Sequence, residues 1–219
     1  MSLFVTFEGP DGAGKSTQTR LVSEALHHAG YRVAVTREPG GTALGERIRE
    51  LLLGPEPYAI VPQAEALLMT ADRAQHVREV IRPALDDGAI VLCDRFSDST
   101  LAYQGAGRNL SVQELEKLQR FAIDDCRPDL TILLDLPADE GLRRRERSTS
   151  PLNRLDRDEL SFHERVRDWY VAAAADEPER WKVFDALMPP EELSNEIVSQ
   201  ILARVSGAES GSRRDGVSP

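Results

Sequence analysis

Cysteine is scarce in this 219-residue chain, which has only Cys93 and Cys126. Two distant cysteines exclude a disulfide framework and a cysteine-based metal site, and point to a reducing compartment. Positive charge is also in deficit. A formal net charge of −10 and a pI near 5.0 argue against a surface that binds nucleic acid or membrane, so an anionic ligand must be met by a local cation cluster. No apolar run approaches the length of a membrane span, and the segment Met1 to Glu8 has neither the basic start nor the length of a signal peptide, so the expected location is cytoplasmic. No internal repeat is visible. Lysine is nearly missing: of 27 Lys and Arg residues only Lys15, Lys117 and Lys182 are lysines.

One of those three lysines stands in the most informative segment. Gly9-Pro10-Asp11-Gly12-Ala13-Gly14-Lys15-Ser16-Thr17 follows the apolar stretch Leu3-Phe4-Val5-Thr6-Phe7 and has the spacing G-x-x-x-x-G-K-S between a strand and a helix. Glycines let successive backbone N–H groups turn inward toward phosphate oxygens. Lys15 adds a compact charge where the chain elsewhere uses arginine, and the helix N-terminus adds its dipole. The Ser16 hydroxyl is placed to hold Mg²⁺, a hard cation that takes oxygen ligands. The alternative is a Gly-rich turn that binds nothing, but all the fixed positions and both flanking elements agree with a phosphate loop.

Continuous apolar runs at 89–94 and 130–135, with shorter ones at 31–36 and 183–185, predict buried parallel strands. A helix from Lys15 to Ala29 and another opened by the capping box Ser111-Val112-Gln113-Glu114 lie between them. The predicted fold class is α/β, a doubly wound open parallel β-sheet flanked by helices, with ligands at the carboxyl ends of the strands. Residues 1–205 read as one domain, with a lid at about 141–160, and 206–219 as a disordered tail of Gly, Ser and charge.

Two strands end in acid. Asp94 is followed by Arg95, pairing a carboxylate for a metal shell with a guanidinium for a second phosphate, whereas Asp135 leads into Leu136-Pro137 and can equally cap the next helix; Asp94 is preferred. Arg37-Glu38-Pro39-Gly40-Gly41-Thr42 is a turn aimed at the same edge, and a cis Glu38–Pro39 bond suits so sharp a turn. Eight arginines between 141 and 167 flank the loop-like Ser148–Asn153. Charge runs are usually solvated, but phosphoryl transfer needs cations at the γ-phosphate, and a closing lid supplies them.

Phe7-Glu8-Gly9, Asp11-Gly12, Gly14-Lys15-Ser16-Thr17, Arg37–Thr42, Ala71-Asp72-Arg73, Asp94-Arg95-Phe96 and Ser99-Thr100-Leu101-Ala102-Tyr103-Gln104-Gly105 together, in this order, resemble thymidylate kinases of the bacterial kind. The resemblance runs from about residue 3 to 205 and implies ATP-dependent phosphorylation of dTMP to dTDP with Mg²⁺, in a homodimer. It implies that Arg95, Arg49 and Arg37 hold the dTMP phosphate, that Arg73 donates to a thymine carbonyl with Thr100 and Gln104 reading the rest of the base edge, and that Tyr103 lies under the deoxyribose. Asp11 and Glu38 then face the sugar hydroxyl or the metal's waters, and Asp185-Ala186 lies near adenine. Met69 stands where many relatives have an aromatic residue that stacks on thymine. Asn153-Arg154-Leu155-Asp156 stands where many have Asp-Arg-x-Glu. With Gly12 where some members carry an arginine, the transition-state cation is expected from the lid: Arg154 first, Arg144 or Arg147 second. Competing readings are a kinase for another nucleotide or deoxynucleoside, a regulatory GTPase, and a nucleotide-binding protein without turnover. The GTPase would need an Asn-Lys-x-Asp segment, and the chain has none.

Overall fold

The strands separate two apolar clusters by alternation. Along β1 (Leu3–Glu8), Leu3, Val5 and Phe7 face one cluster and Phe4 the other; along β3 (Ile90–Asp94), Ile90 and Leu92 oppose Val91 and Cys93. Both faces are therefore buried, which is why the sequence shows unbroken apolar runs. A computed structural model describes residues 2–54, 59–148, 154–155 and 158–212, with side chains through 206.

In chain order the elements are β1, α1 (Lys15–His28), β2 (Val33–Arg37), α2 (Ala43–Leu53), α3 (Pro62–His76), α4 (Arg82–Asp86), β3, α5 (Ser97–Thr100), α6 (Val112–Ile123), β4 (Leu130–Asp135), α7 (Ala138–Arg147), α8 (Leu160–Asp176), β5 (Trp181–Asp185) and α9 (Pro190–Ser212). Wider π-helical turns at Val77–Ile81 and Leu101–Gly107 join α3 to α4 and extend α5. The five strands pair in parallel in the order β2-β3-β1-β4-β5. The open parallel sheet expected from the sequence is thus present.

Register sets the site. Phe7 of β1 and Arg37 of β2 both lie level with Asp94 of β3, so the loops that follow these three strands leave the sheet at one edge. Ser111 caps α6 through its hydroxyl, as the capping box requires. The C-terminal end differs from expectation. α9 continues to Ser212, past the point where a disordered tail was expected, while 213–219 lie outside the described residues. Leu193, Ile197, Ile201 and Val205, spaced four apart, bury one stripe of α9 beside Val22 and Leu26 of α1. Each such burial is worth about 1.5–3 kcal/mol and carries the helix forward.

Candidate active site

The loop after β1 closes on backbone. Gly14 is left-handed (φ 88°) and caps α1, and Gly12 (φ 78°) lies so close to Gly141 of α7 that a Cβ on either would overlap the other segment's carbonyl oxygen, Gly141 O or Asp11 O. No side chain fits there, so an arginine at position 12 is excluded in this chain. The Lys15 ammonium donates to the carbonyls of Pro10 (2.8 Å) and Gly9 (3.1 Å). Burial and the neighbouring Arg95 pull its pKa down to about 8.

Ser16 at the start of α1 donates to Asp94 Oδ2 (2.6 Å), bringing together the two oxygen donors expected for a metal. Asp135 goes elsewhere: Arg167 grips both its oxygens (2.7 and 2.9 Å), and α7 has no side-chain cap.

Arg95 follows in a left-handed conformation (φ 72°), uncommon for a non-glycine residue. Its backbone N–H is held by Phe7 O, and its guanidinium donates to Asp11 Oδ1 (2.7 Å), Tyr103 OH (2.8 Å), Ser99 Oγ (3.1 Å) and Gly9 O (3.2 Å). Burial favours the neutral acid at Asp11, but Arg95 and Lys15 outweigh it and hold the carboxyl at about 2. Beneath lies Glu8, fully buried at the end of β1, accepting from Phe96 N (2.8 Å), Ser99 Oγ (2.6 Å) and Tyr170 OH (2.8 Å). Sequence reasoning gave Glu8 and Tyr170 no role. A lone acid ending an apolar strand was the available signal for Glu8, and Tyr170, in the middle of α8, had none.

The turn after β2 contains a cis Glu38–Pro39 bond, as expected. Glu38 accepts from Arg73 Nε (2.8 Å) with one oxygen and meets His76 Nδ1 (2.8 Å) with the other. Arg73 also donates to Thr100 Oγ1 (3.0 Å), Phe96 O (2.9 Å) and Gln119 Oε1, and its Nη2 lies 2.7 Å from Glu38. Four hydrogen bonds and the ion pair with Glu38 fix the Arg73 guanidinium at the edge of the first cavity. Arg49 donates to Pro39 O (2.9 Å), while Arg37 is engaged by Glu46.

Two cavities open from this edge. One is lined by Met69, Arg73, Thr100, Tyr103, Gln104 and Leu155. The other is lined by the phosphate loop together with Arg37, Asp94, Arg144 and Arg145. Asp11, Glu38, Arg49 and Arg95 border both. Lys15 and five arginines surround the second cavity, so a chain of net charge −10 gathers the expected cation cluster there.

The arginine-rich segment divides. Arg143 pairs with Asp139 and Glu140 on the exposed side of α7. Arg144 reaches Ala186 O (3.1 Å) and Gly12 O (3.5 Å), tying the phosphate loop to the Asp185-Ala186 turn. Arg147 is exposed at the end of α7. Arg154, expected at the transferring phosphate, is bonded instead to Glu65 and to Leu52 O (3.3 Å) beside the first cavity. Of the expected linker Ser148–Asn153, residues 149–153 lie outside the described residues, as does Asp156.

The geometry suits two phosphorylated ligands meeting end to end. Residues 7–197 match the sequence model described as thymidylate kinase. A thymidylate kinase of Thermomicrobium roseum is 56% identical over 207 residues, covering 93% of this chain and 98% of that protein. One of Pseudomonas fluorescens is 53% identical, covering 85% and 89%. The crystal structure of thymidylate kinase from Ehrlichia chaffeensis superposes with a TM-score of 0.73 at 34% identity, covering 91% of this chain and 98% of that one. With the phosphate loop, the Asp94-Arg95 corner and the matched length all in accord, the chain belongs to the thymidylate kinase family.

Proposed function

We propose that the protein transfers the γ-phosphoryl group of ATP to the phosphate of dTMP, giving dTDP and ADP for dTTP synthesis. The observation that carries this reading is the junction of the two cavities at Asp11, Glu38, Arg49 and Arg95. A nucleotide in each cavity would bring its phosphates together at this point.

The backbone amides of residues 11–17 and the Lys15 ammonium cradle the donor phosphates. Arg49 presents a planar fork to the acceptor phosphate, and Arg95 adds its charge beside it. Gly9, Ser99, Asp11 and Tyr103 hold the Arg95 guanidinium in place before substrate arrives. A phosphate monoester is already nucleophilic at neutral pH, so no general base is assigned, and positioning with charge neutralisation carries the rate. The Ser16 and Asp94 oxygens, 2.6 Å apart, suit a hard cation and would hold Mg²⁺. When bound, Mg²⁺ neutralises charge on the β- and γ-phosphates. Among the lid arginines, Arg144 touches the phosphate loop and is assigned the γ-phosphate; Arg154 is assigned to the nucleoside end.

A homodimer is part of the proposal. Exposed Leu51, Leu67 and Phe121 lie on α2, α3 and α6, and α3 packs beside both other helices. A cytoplasmic location suits its two free, buried cysteines. The test is ADP release with dTMP, dUMP, dCMP and thymidine compared at fixed ATP and Mg²⁺. The highest kcat/KM is expected for dTMP; ATP binding with no dTMP-dependent ADP release refutes the assignment.

A further inference from the structure

Glu65 is an acid behind the wall of the nucleoside cavity, bonded to the lining residue Gln104, with no part in the reading above. Its side chain is 0% exposed. It meets Arg154 Nη2, Arg108 Nε (3.6 Å) and Gln104 Nε2 (2.7 Å). Burying a carboxylate is costly unless it is paired, and Arg154 pairs it. Glu65 also fixes Gln104.

An amide has a donor end and an acceptor end, and crystallography rarely tells them apart; the neighbours decide. A carboxylate offers acceptors only. At 2.7 Å from Glu65, Gln104 must turn its NH₂ toward that oxygen, and its carbonyl oxygen, which accepts from none of the described residues, is left for the cavity that Gln104 lines. Thr100 Oγ1 accepts from Arg73 Nη1 (3.0 Å), which leaves its proton and one lone pair for the same cavity. The wall therefore presents a fixed acceptor, from Gln104, and a hydroxyl able to donate, from Thr100, four residues apart on one helical run.

We propose that Glu65 is a positioning residue that locks the Gln104 amide with its oxygen inward, so that the site takes a pyrimidine with an N3–H beside a carbonyl and refuses cytosine. Thymine and uracil present that pattern. Cytosine presents a bare N3 beside an amino group, which sets acceptor against acceptor and donor against donor. The inference rests on the dTMP kinase reading and adds the source of its choice between pyrimidines.

The test compares kcat/KM for dTMP and dCMP in the wild-type protein, Glu65→Gln, Arg154→Gln and the double variant. Gln at position 65 keeps the volume but can offer either amide end, so Gln104 is free to flip. The dTMP-over-dCMP ratio is expected to fall at least about ten-fold in Glu65→Gln, the size of one hydrogen bond to a charged group. Arg154→Gln leaves the Glu65–Gln104 bond in place and is expected to keep the wild-type ratio, whatever its rate. If Glu65→Gln does not fold because its arginine is left unpaired, the double variant removes the ion pair as a unit and carries the same expectation. A fall of less than ten-fold in the folded variant, or an equal fall in Arg154→Gln, overturns the proposal. A wild-type protein inactive on dTMP would instead refute the function itself.

Discussion

Glu8 makes stability depend on pH in a direction opposite to the usual carboxylate. Burial, reinforced by the nearby Asp98 carboxylate, raises its pKa from 4.5 to about 7. The folded chain therefore holds the proton more tightly than the unfolded chain does. The associated stability is complete below pH 4.5 and is lost as pH rises through 7. At about 1.36 kcal/mol per pH unit, and with Glu8 half ionised near pH 7, the loss between pH 5 and 7 is about 2 kcal/mol. Asp72, raised from 3.8 to about 7 by burial and by Glu38, adds a loss of similar size in the same window. Asp11, held at about 2, titrates below the window and does not offset either. Urea denaturation at pH 5, 6 and 7 measures the slope, and Glu8→Gln, which like the protonated acid has one acceptor end and one donor end but does not ionise, should roughly halve it. A Glu8→Gln profile parallel to that of the wild type would refute the argument.

Lys15→Ala should lower kcat by about 100-fold or more, because it removes the fixed charge at the donor phosphates, while urea stability stays equal or rises, since the buried ammonium carries a desolvation cost. Loss of folding together with activity would reject this. Arg144→Ala should reduce kcat more than Arg154→Ala in steady-state assays; the reverse order returns the γ-phosphate cation to Arg154. Gly141→Ala, in a helix where alanine normally gains up to about 1 kcal/mol, should instead destabilise by about 1–3 kcal/mol and raise KM for ATP, because its Cβ would displace Asp11 O in the phosphate loop. A stability gain in thermal melts would count against that close approach.

What could be read in the sequence was local. The phosphate loop needs Gly, Lys and Ser at fixed offsets within nine residues, and a two-sided parallel strand needs an unbroken apolar run, so both announce themselves. Two acid-ended strands could be told apart only by the Arg95 that follows Asp94, because their partners lie far away in the chain: Ser16 precedes Asp94 by 78 residues, and Arg167 follows Asp135 by 32. The arginine run could not be divided for the same reason. Arg143 finds acids one turn back on its own helix, which matches the solvated-face reading, whereas Arg144, one residue on, turns to a carbonyl of the phosphate loop. Composition in the last segment suggested disorder, but Val205 anchors α9 to the core and the helix carries on beyond it.

The residues hardest to foresee share one task. Two polyanions require a dense group of guanidiniums, and without counter-charges these would repel one another and scatter over many rotamers. Asp11 holds Arg95, Glu38 holds Arg73, and Glu65 holds Arg154, each by an ion pair across 35 to 89 residues of sequence. A motif displays the cation that meets the ligand, while the acid that aims it is chosen by the fold. In a cationic site, then, a buried acid that the reaction does not need is best sought beside the arginine whose direction matters.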